Sequence, residues 1–348
     1  MIRILVATDA WRPQVNGVVH TLERMSAAAR ELQAEFVFLT PQGFPSLPLP
    51  TYPDIRLALA APWEVSRRIE AAGADHIHIA TEGPIGWAAR RYCRKRGKLF
   101  TTSYHTRFPE YIAARTHLPE SVSYAALRRF HAPAAATLAP TPSIRNELTK
   151  RGFEKVKVWT RGVDHALYRP RPPDALDLPR PIFLSVGRVA VEKNLEALLA
   201  LKLPGSVVVV GDGPARAGLE RRYPHAHFLG AMHGEALARV YASADVFVFP
   251  SKTDTFGIVL IEAMACGVPV AAYPVSGPLD VIGDSGAGAL NDDLGAACLS
   301  ALAIPRAKAH EHSLRFTWRE SARQFLQHVE TCRAAVGVGA TRGARAAA

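Results

Sequence analysis

Two carboxylates stand eight residues apart in the stretch FPSKTDTFGIVLIEAM, at residues 249–264. Asp254 lies in the polar turn that follows a short apolar strand, and Glu262 lies about two turns into the apolar helix that begins next. The free N–H groups of the first helical turn, near Thr255 to Gly257, favour acceptor oxygens and negative charge. Each carboxylate can accept hydrogen bonds from two hydroxyl groups, so this set suits a sugar-like ligand. The structural alternative makes Asp254 the cap of the helix and Glu262 an acid on its surface.

Two cations follow another predicted strand, in VGRVAVEKN at residues 186–194. Arg188 and Lys193 lie five residues apart, just before a predicted helix. An arginine can bind two phosphate oxygens at once, so the pair suits a diphosphate. An ordinary pair of surface cations is the alternative. Paired carboxylates also occur in glycosidases, but cations suited to a diphosphate favour a phosphorylated sugar.

Glycine loops follow two further predicted strands. Gly17 comes at a helix start in VATDAWRPQVNGVV, residues 6–19, where backbone N–H groups can meet a phosphate. Gly211 lies in VVVVGDGP, residues 207–214, a loop suited to a nucleotide base or ribose. Neither stretch has the G-x-G-x-x-G pattern, and the chain has no Walker A sequence, so a dinucleotide cofactor is not indicated.

Polar residues also end two strands of the first half. His105 follows the strand KLFTTS, next to Tyr104, in TTSYHTRFPEY at residues 101–111. Glu82 lies in the loop ATEGPIG and is available to an acceptor. A single histidine is usually structural or merely exposed, so these residues gain meaning only from their context.

The elements that must position these residues alternate between strand and helix. IRILVAT, EFVFLT, HIHIAT and KLFTTS are strand patterns of the first half, and PIFLSVG, SVVVV, DVFVFP and VPVAAY those of the second. This alternation predicts parallel sheets, which bind ligands at the carboxyl ends of their strands. The sequence thus predicts an α/β protein with two Rossmann-like domains around a cleft. The predicted domains are 1–172 and 173–315, with a helix at about 316–332 crossing back to the first domain and a flexible tail at 333–348. The proline-rich stretch RGVDHALYRPRPPDALDLPRP predicts a linker between the domains, with a hinge near residues 165–180.

Composition and charge narrow the class of protein. The chain has 348 residues, and its four cysteines are widely scattered, so a reduced, cytoplasmic protein is expected. Its start is a strand pattern rather than a signal peptide, and no apolar run is long enough to span a membrane. The net charge is +11, and residues 1–175 carry 25 Lys and Arg against 15 Asp and Glu. Solvated helix faces, a nucleic acid or an anionic membrane could explain this excess, but no motif supports nucleic acid.

Taken together, the motifs resemble the family 4 retaining glycosyltransferases. The resemblance runs from about residue 2 to about 330. It depends on five motifs, which in chain order are QVNGVV, RGVDHALYRP, VGRVAVEKN, VVVVGDGP and the stretch that begins FPSKTDTFG. Their joint occurrence in this order is far more specific than any one of them. TSYHTRFPEY and SKTDTFG are most similar to the GDP-mannose-dependent α-mannosyltransferases and the sulfoquinovosyl diacylglycerol synthases. That family has the GT-B fold, in which two Rossmann-like domains enclose a nucleotide-sugar site. Asp254 stands where the family's paired-acid signature has Glu, so the sugar hydroxyl it holds is open.

The resemblance implies a role for each candidate. The second domain would bind the donor and the first the acceptor. Asp254 and the backbone of residues 255–257 would hold the donor sugar, Glu262 the ribose, and Arg188 with Lys193 the diphosphate. The donor set is Gly17, Arg188, Lys193, Gly211, Asp254, Thr255, Phe256, Gly257 and Glu262. The catalytic set is His105, Arg188, Lys193 and Asp254, and the acceptor set is Glu82 and Tyr104. No cofactor and no essential metal are expected.

The resemblance favours transfer of mannose from GDP-mannose to a lipid or glycan acceptor. UDP-glucose or UDP-glucuronate as donor to a glycolipid is the alternative, and a nucleotide-sugar 2-epimerase is an alternative of another class. A two-domain solute-binding protein is the non-enzyme alternative, but it would usually need an export signal, which the strand pattern at the start of this sequence does not resemble. The basic first half predicts peripheral attachment to an anionic membrane at its cytoplasmic face. The basic residues concerned are Arg90, Arg91, Arg94, Lys95, Arg96 and Lys98, with the pairs Arg67 and Arg68, and Arg128 and Arg129.

Overall fold

The computed structural model describes residues 1–14, 16–49, 52–110 and 119–346. Val15 and Tyr111, which belong to the motifs at 6–19 and 101–111, lie outside this part of the chain. The protein divides into two compact units: unit 1 is Met1–Thr160 with Trp318–Ala348, and unit 2 is Arg161–Thr317. In the described residues, no helix has both the length and the apolar character needed to cross a membrane.

Unit 1 is built on a six-stranded parallel sheet in the order β2-β1-β5-β6-β7-β8. Its strands are short runs of mostly buried residues, as expected where helices cover both faces of a parallel sheet. The strands are β1 (Ile2–Ala7), β2 (Ala34–Leu39), β5 (His76–Ile79), β6 (Phe100–Ser103), β7 (Ala136–Ala139) and β8 (Val156–Val158). The helices between them are α1 (Gly17–Glu31), α2 (Pro62–Ala72), α3 (Pro84–Arg96), α4 (Glu120–His131) and α5 (Pro142–Lys150). A separate antiparallel pair, β3 (Ser46–Leu49) with β4 (Tyr52–Ala58), precedes α2.

The last helix of the chain completes unit 1. It runs from Trp318 to Ala346, so the end predicted at 332 was too early, while the flexibility of the tail stays a prediction. Phe325 is 1% exposed and its ring centroid lies 5.2 Å from that of Trp159. The Trp159 indole N–H donates to the carbonyl oxygen of Ser321 at 3.1 Å. This helix therefore closes the core that β1, α1 and β7 begin.

Unit 2 has a second six-stranded parallel sheet in the order β11-β10-β9-β12-β13-β14. The strands are β9 (Ile182–Val186), β10 (Ser206–Val210), β11 (His227–Gly230), β12 (Val246–Phe249), β13 (Val270–Ala272) and β14 (Gly288–Leu290). A 3₁₀ turn spans Val191–Lys193, and the helices are α6 (Leu195–Leu199), α7 (Arg216–Arg222), α8 (Gly234–Ser243), α9 (Ile258–Ala265), α10 (Ser276–Val281), α11 (Leu294–Ala301) and α12 (Arg306–Ser313). The helix of the chain's end, Trp318–Ala346, is therefore α13.

The boundary between the units lies at residue 160, earlier than the predicted 172. The Val163 N–H donates to the carbonyl oxygen of Phe316 at 3.1 Å, which ties the segment to the end of unit 2. Tyr168 is 5% exposed, and its ring lies edge-on to Tyr241, with centroids 5.8 Å apart. The stretch after Thr160 therefore belongs to the core of unit 2, and the proline-rich part of the predicted linker begins only after it.

Candidate active site

Three loops of unit 2 follow neighbouring parallel strands, so they meet at one edge of the sheet. They follow β10, β9 and β12, which carry the glycine loop, the cation motif and the first acid. Gly211 has φ +142°, and a Cβ atom there would lie 1.8 Å from the carbonyl oxygen of Gly187. The backbones of these two loops are therefore in contact, and there is no room for a side chain at position 211.

Lys193 and Asp254 form the central ion pair of this edge. Lys193 Nζ donates to Asp254 Oδ1 at 2.6 Å. Burial raises the pKa of Asp254, but the charge and hydrogen bond of Lys193, the Ser251 hydroxyl and the nearby Arg188 charge outweigh it, so the pKa lies below its usual value. The second carboxylate oxygen, Oδ2, is buried and accepts no hydrogen bond from a described residue. Asp254 is therefore an ionised side chain, and one of its two carboxylate oxygens receives no hydrogen bond from a described residue.

The structure excludes the capping role for Asp254. The residue that caps α9 is Gly257, with φ +83°, which has no side chain that could bind the free N–H groups there. Thr255 and Phe256 are 9% and 5% exposed, so this loop offers a ligand mainly its backbone.

Glu262 is also different from a surface acid. It is 7% exposed within α9, and Tyr241 of α8 donates its hydroxyl hydrogen to Glu262 Oε2 at 3.0 Å. Burial, together with the Glu262 charge, raises the pKa of Tyr241 well above its ordinary value, so the phenol stays a donor. A carboxylate in an apolar helix is thus held in one orientation by a neighbouring helix.

Side chains that the motifs did not single out join the cation loop to the acid loop. Arg188 pairs with Glu192, whose side chain is only 7% exposed. Asn194, at φ +53°, donates through Nδ2 to the carbonyl oxygen of Pro250 at 3.1 Å. The Thr253 hydroxyl donates to the carbonyl oxygen of Glu192 at 3.3 Å. An asparagine at the start of a predicted helix was the one available signal, since Asn tolerates the left-handed region. These bonds fix the loop of Arg188 against the loop of Asp254.

In unit 1, Gly17 is the first residue of α1. Asn16 caps this helix, because its side-chain oxygen accepts from the N–H groups of Val18 and Val19, both at 3.0 Å. A phosphate at this helix end would therefore bind the N–H of Gly17 or displace the Asn16 side chain.

The three other candidates of unit 1 differ in their surroundings. His105 follows β6, half-buried, with its ring edge-on to Trp159 at 5.9 Å. Glu82 Oε1 lies 3.2 Å from Nε2 of His131, a partner that the sequence did not reveal. Tyr104 is 1% exposed in a core cluster, and burial raises its pKa. The prediction that Tyr104 binds the acceptor was therefore wrong for its side chain, because it faces the interior.

The basic cluster also needs one correction. Arg90 is 7% exposed, and its guanidinium donates to the carbonyl oxygens of Phe130 at 2.8 Å and Arg129 at 2.6 Å. It ties α3 to the end of α4, so it is not part of a basic surface.

Comparison with known proteins decides the family. A GDP-mannose-dependent alpha-mannosyltransferase of Mycobacterium tuberculosis is 31% identical over 308 residues, which cover 81% of this chain and 81% of that protein. The chain belongs to the family 4 glycosyltransferases. The family model described as Glycosyltransferase Family 4 matches residues 15–167 of this glycosyltransferase, and the one described as Glycosyl transferases group 1 matches 171–324. Sulfoquinovosyl transferase SQD2 of Arabidopsis thaliana is 33% identical over 258 residues, covering 69% of this chain and 50% of that protein.

Solved structures confirm the predicted GT-B fold of the glycosyltransferase. Sucrose-phosphate synthase from Thermosynechococcus elongatus has a TM-score of 0.77 at 21% identity, covering 96% of this chain and 100% of that one. Anabaena Alr3699/HepE, in complex with UDP and glucose, has a TM-score of 0.72 at 17% identity, covering 95% of this chain and 100% of that one.

Proposed function

We propose that this glycosyltransferase transfers mannose from GDP-mannose to a lipid or glycan acceptor, with retention at the anomeric carbon. The observation that carries the proposal is the pair formed by Lys193 and Asp254, at 2.6 Å, with the Arg188 charge nearby and one carboxylate oxygen that receives no hydrogen bond from a described residue. The mannose donor is supported by relatives named GDP-mannose-dependent alpha-mannosyltransferase, at about 30% identity.

The chemistry follows from where charge develops. The bond from the anomeric carbon to the diphosphate breaks first, giving an oxocarbenium-like transition state and a negative charge on the leaving group. Arg188 and Lys193 stabilise that charge, and because their loops are fixed beforehand they need no reorganisation at the moment of reaction. The departing phosphate oxygen takes the proton of the acceptor hydroxyl on the same face of the sugar, so configuration is retained. This route needs no protein nucleophile and no essential metal, which stays a prediction.

The roles of the two acids are part of the proposal. Asp254 Oδ2 accepts from a sugar hydroxyl, while Glu262 accepts from the ribose hydroxyls. Lys193 is bound to Asp254 in the absence of the sugar-nucleotide substrate. When that substrate binds, its diphosphate therefore has to share the ammonium group with the carboxylate. The ammonium has three N–H donors, so it can bind both at once.

A second donor class also has support. The relative named sulfoquinovosyl transferase SQD2 supports a donor sugar other than mannose, so a UDP-linked sugar with a glycolipid product stays the second candidate. The deciding experiment supplies GDP-mannose, UDP-glucose or UDP-glucuronate with a diacylglycerol-based acceptor and reads the new linkage by NMR. An α-mannosyl product with GDP-mannose alone is expected. An inverted product, or turnover of UDP sugars only, would contradict the mannosyl proposal, and Asp254→Asn is the inactive control.

The partner of unit 1 is proposed from its charge. This unit carries 27 Lys and Arg against 15 Asp and Glu, a net charge of +12, while unit 2 carries 15 against 16, a net charge of −1. A basic surface attracts anionic lipid. We place the acceptor at such a membrane, with the protein attached peripherally at the cytoplasmic face.

A further inference from the structure

A groove of about 600 Å³ runs over the surface of unit 1 between the start of α2 and the length of α3. Its lining includes Pro62, Pro84, Trp87, Arg91, Arg94 and Lys95. The groove thus combines an aromatic ring at one end with a row of cations along α3.

The groove is bordered by large apolar side chains that face solvent. Trp63 is 71% exposed, Leu59 is 54% exposed and Trp87 is 39% exposed. Tryptophan is normally among the more buried residues, so two exposed copies beside one groove need a reason. Trp87 is held in place by Phe130, whose ring lies edge-on with centroids 5.0 Å apart. Trp63 and Leu59 flank the lining residues Pro62 and Ala60 in sequence.

The cations of the groove differ from the other basic residues nearby. Arg67 and Arg68 pair with Glu64, and Arg96 pairs with Glu70. Arg91, Arg94 and Lys95 are exposed and form no ion pair with any residue in the described part of the chain. Three uncompensated charges therefore point to an anionic partner that covers α3.

The position of the groove connects it to the candidate site. Helix α3 begins at Pro84, directly after β5 and the loop that carries Glu82. That loop lies at the carboxyl edge of the sheet of unit 1, where parallel sheets bind their ligands. A partner along the groove would thus end beside Glu82.

We propose that the face formed by α2 and α3 docks on a bilayer that contains anionic phospholipid. Trp63 and Trp87 enter the interfacial layer, where amphipathic aromatic rings are favoured. Arg91, Arg94 and Lys95 bind lipid phosphates. A second copy of this chain is disfavoured, because two units of net charge +12 would face each other. The proposal rests on the proposed lipid acceptor only for its biological purpose.

The test uses the full-length protein and vesicles of phosphatidylcholine with or without phosphatidylglycerol. Wild type should co-sediment with the anionic vesicles and leave them at 1 M salt, where charges are screened within a few ångströms. The triple variant Arg91→Gln, Arg94→Gln, Lys95→Gln should lower the partition coefficient about 100-fold, since each cation contributes about fivefold. The matched control, Arg67→Gln with Arg96→Gln, removes cations already paired and should change it less than about threefold.

The aromatic part is tested separately. Trp63→Ala should lower binding to anionic vesicles about tenfold or more at low salt, without a change in melting temperature, because Trp63 is mostly exposed. Tryptophan emission should shift to the blue with vesicles in wild type and less in this variant. Equal binding to neutral and anionic vesicles, no binding to either, or tighter binding to a short DNA duplex would overturn the proposal. Hydrolysis of GDP-mannose is measured on every variant. A variant that loses vesicle binding but keeps hydrolysis is impaired in docking alone. A wild-type protein that uses no donor would contradict the proposed function and leave the docking result standing.

Discussion

Lys193 is bound to Asp254 without any ligand, and this sets what its removal should do. Lys193→Ala takes away both a diphosphate ligand and the ion-pair partner of the Asp254 carboxylate. We expect kcat/KM to fall by two to three orders of magnitude, which is about 3–4 kcal/mol. Arg188→Ala should cause a similar loss with a smaller effect on stability, because Arg188 is 38% exposed. Steady-state kinetics with GDP-mannose check both, and Arg222→Ala, a surface cation paired with Glu196, is the control. Normal turnover in both variants would refute the diphosphate site.

The same pair predicts a dependence of stability on pH. Because the folded-state pKa of Asp254 is lowered, its contribution to stability is present above the unfolded value, near 4, and is lost as pH falls through the folded pKa. In Lys193→Met, burial still raises the pKa of the carboxyl group, and only the smaller effects of Ser251 and Arg188 oppose it, so the pKa rises and stability should begin to fall at higher pH. Urea unfolding between pH 3 and 7 measures this. Adding Asp254→Asn should cancel the difference, and identical acid profiles without that change would contradict the argument.

Tyr241 is expected to position Glu262 for the ribose. A hydrogen bond to a charged group contributes about 1.5–3 kcal/mol, so Tyr241→Phe should raise the Kd for free nucleotide about tenfold and leave kcat nearly unchanged. Tyr223→Phe is the matched control, since its hydroxyl donates to Glu196 on the surface at 3.2 Å. In a Glu262→Gln background the Tyr241 change should have little further effect. Normal nucleotide affinity in the Glu262→Gln variant would instead show that Glu262 does not bind the ribose.

At the scale of single residues, the sequence predicted the charged groups but not their partners. Arg188, Lys193 and Asp254 lie close together at one edge of the sheet, while their roles toward a ligand stay predictions. The prediction for the Tyr104 side chain was wrong. The four residues of β6 directly before it are all buried, so no alternation of apolar and polar residues marks the side that faces solvent. Arg90 shares the buried stripe of α3 with Cys93, three residues on, a helical spacing that could have revealed it.

Among the elements, α13 makes the strongest prediction. Phe325 contacts the rings of Trp159, His78 and Phe36, with centroids 5.2, 4.9 and 5.4 Å apart. Phe325→Ala should therefore destabilise unit 1 by about 3–5 kcal/mol through a cavity at the centre of its core. Urea unfolding followed by tryptophan fluorescence measures this loss. Arg323→Ala on the exposed side of the same helix should stay within about 0.5 kcal/mol, and equal stability of the two variants would mean that α13 adds little to the core.

The elements themselves were largely predictable, because each unit alternates apolar strands with amphipathic helices. The antiparallel pair β3 and β4 was not predicted. Pro48 lies inside β3, and a proline argues against a strand unless that strand is at an edge. The end of α13 was also missed, since the small residues after Cys332 carry no apolar stripe that marks a helix.

For the whole molecule, the boundary at Thr160 depends on contacts that no local pattern encodes. Proline content suggested a later hinge, yet Val163 and Tyr168 are fixed by partners more than seventy residues away in unit 2. The location of the charge was visible in composition, but its separation into one basic and one nearly neutral unit follows from where this boundary falls.

The division into two cores predicts how nucleotides should change the melting of the chain. All five tryptophans, residues 11, 63, 87, 159 and 318, lie in unit 1, so their fluorescence follows that unit, while calorimetry follows both. A nucleotide that binds unit 2 at ~100 times its Kd adds about 2.7 kcal/mol to the stability of that unit. For a unit of this size the calorimetric transition should rise by about 5–10 °C, with a smaller change in the tryptophan transition. GDP and GDP-mannose should give this shift and UDP should not, and Arg188→Ala should reduce it. A larger shift with UDP would move the donor to the UDP sugars, and a shift confined to tryptophan fluorescence would place the nucleotide on unit 1.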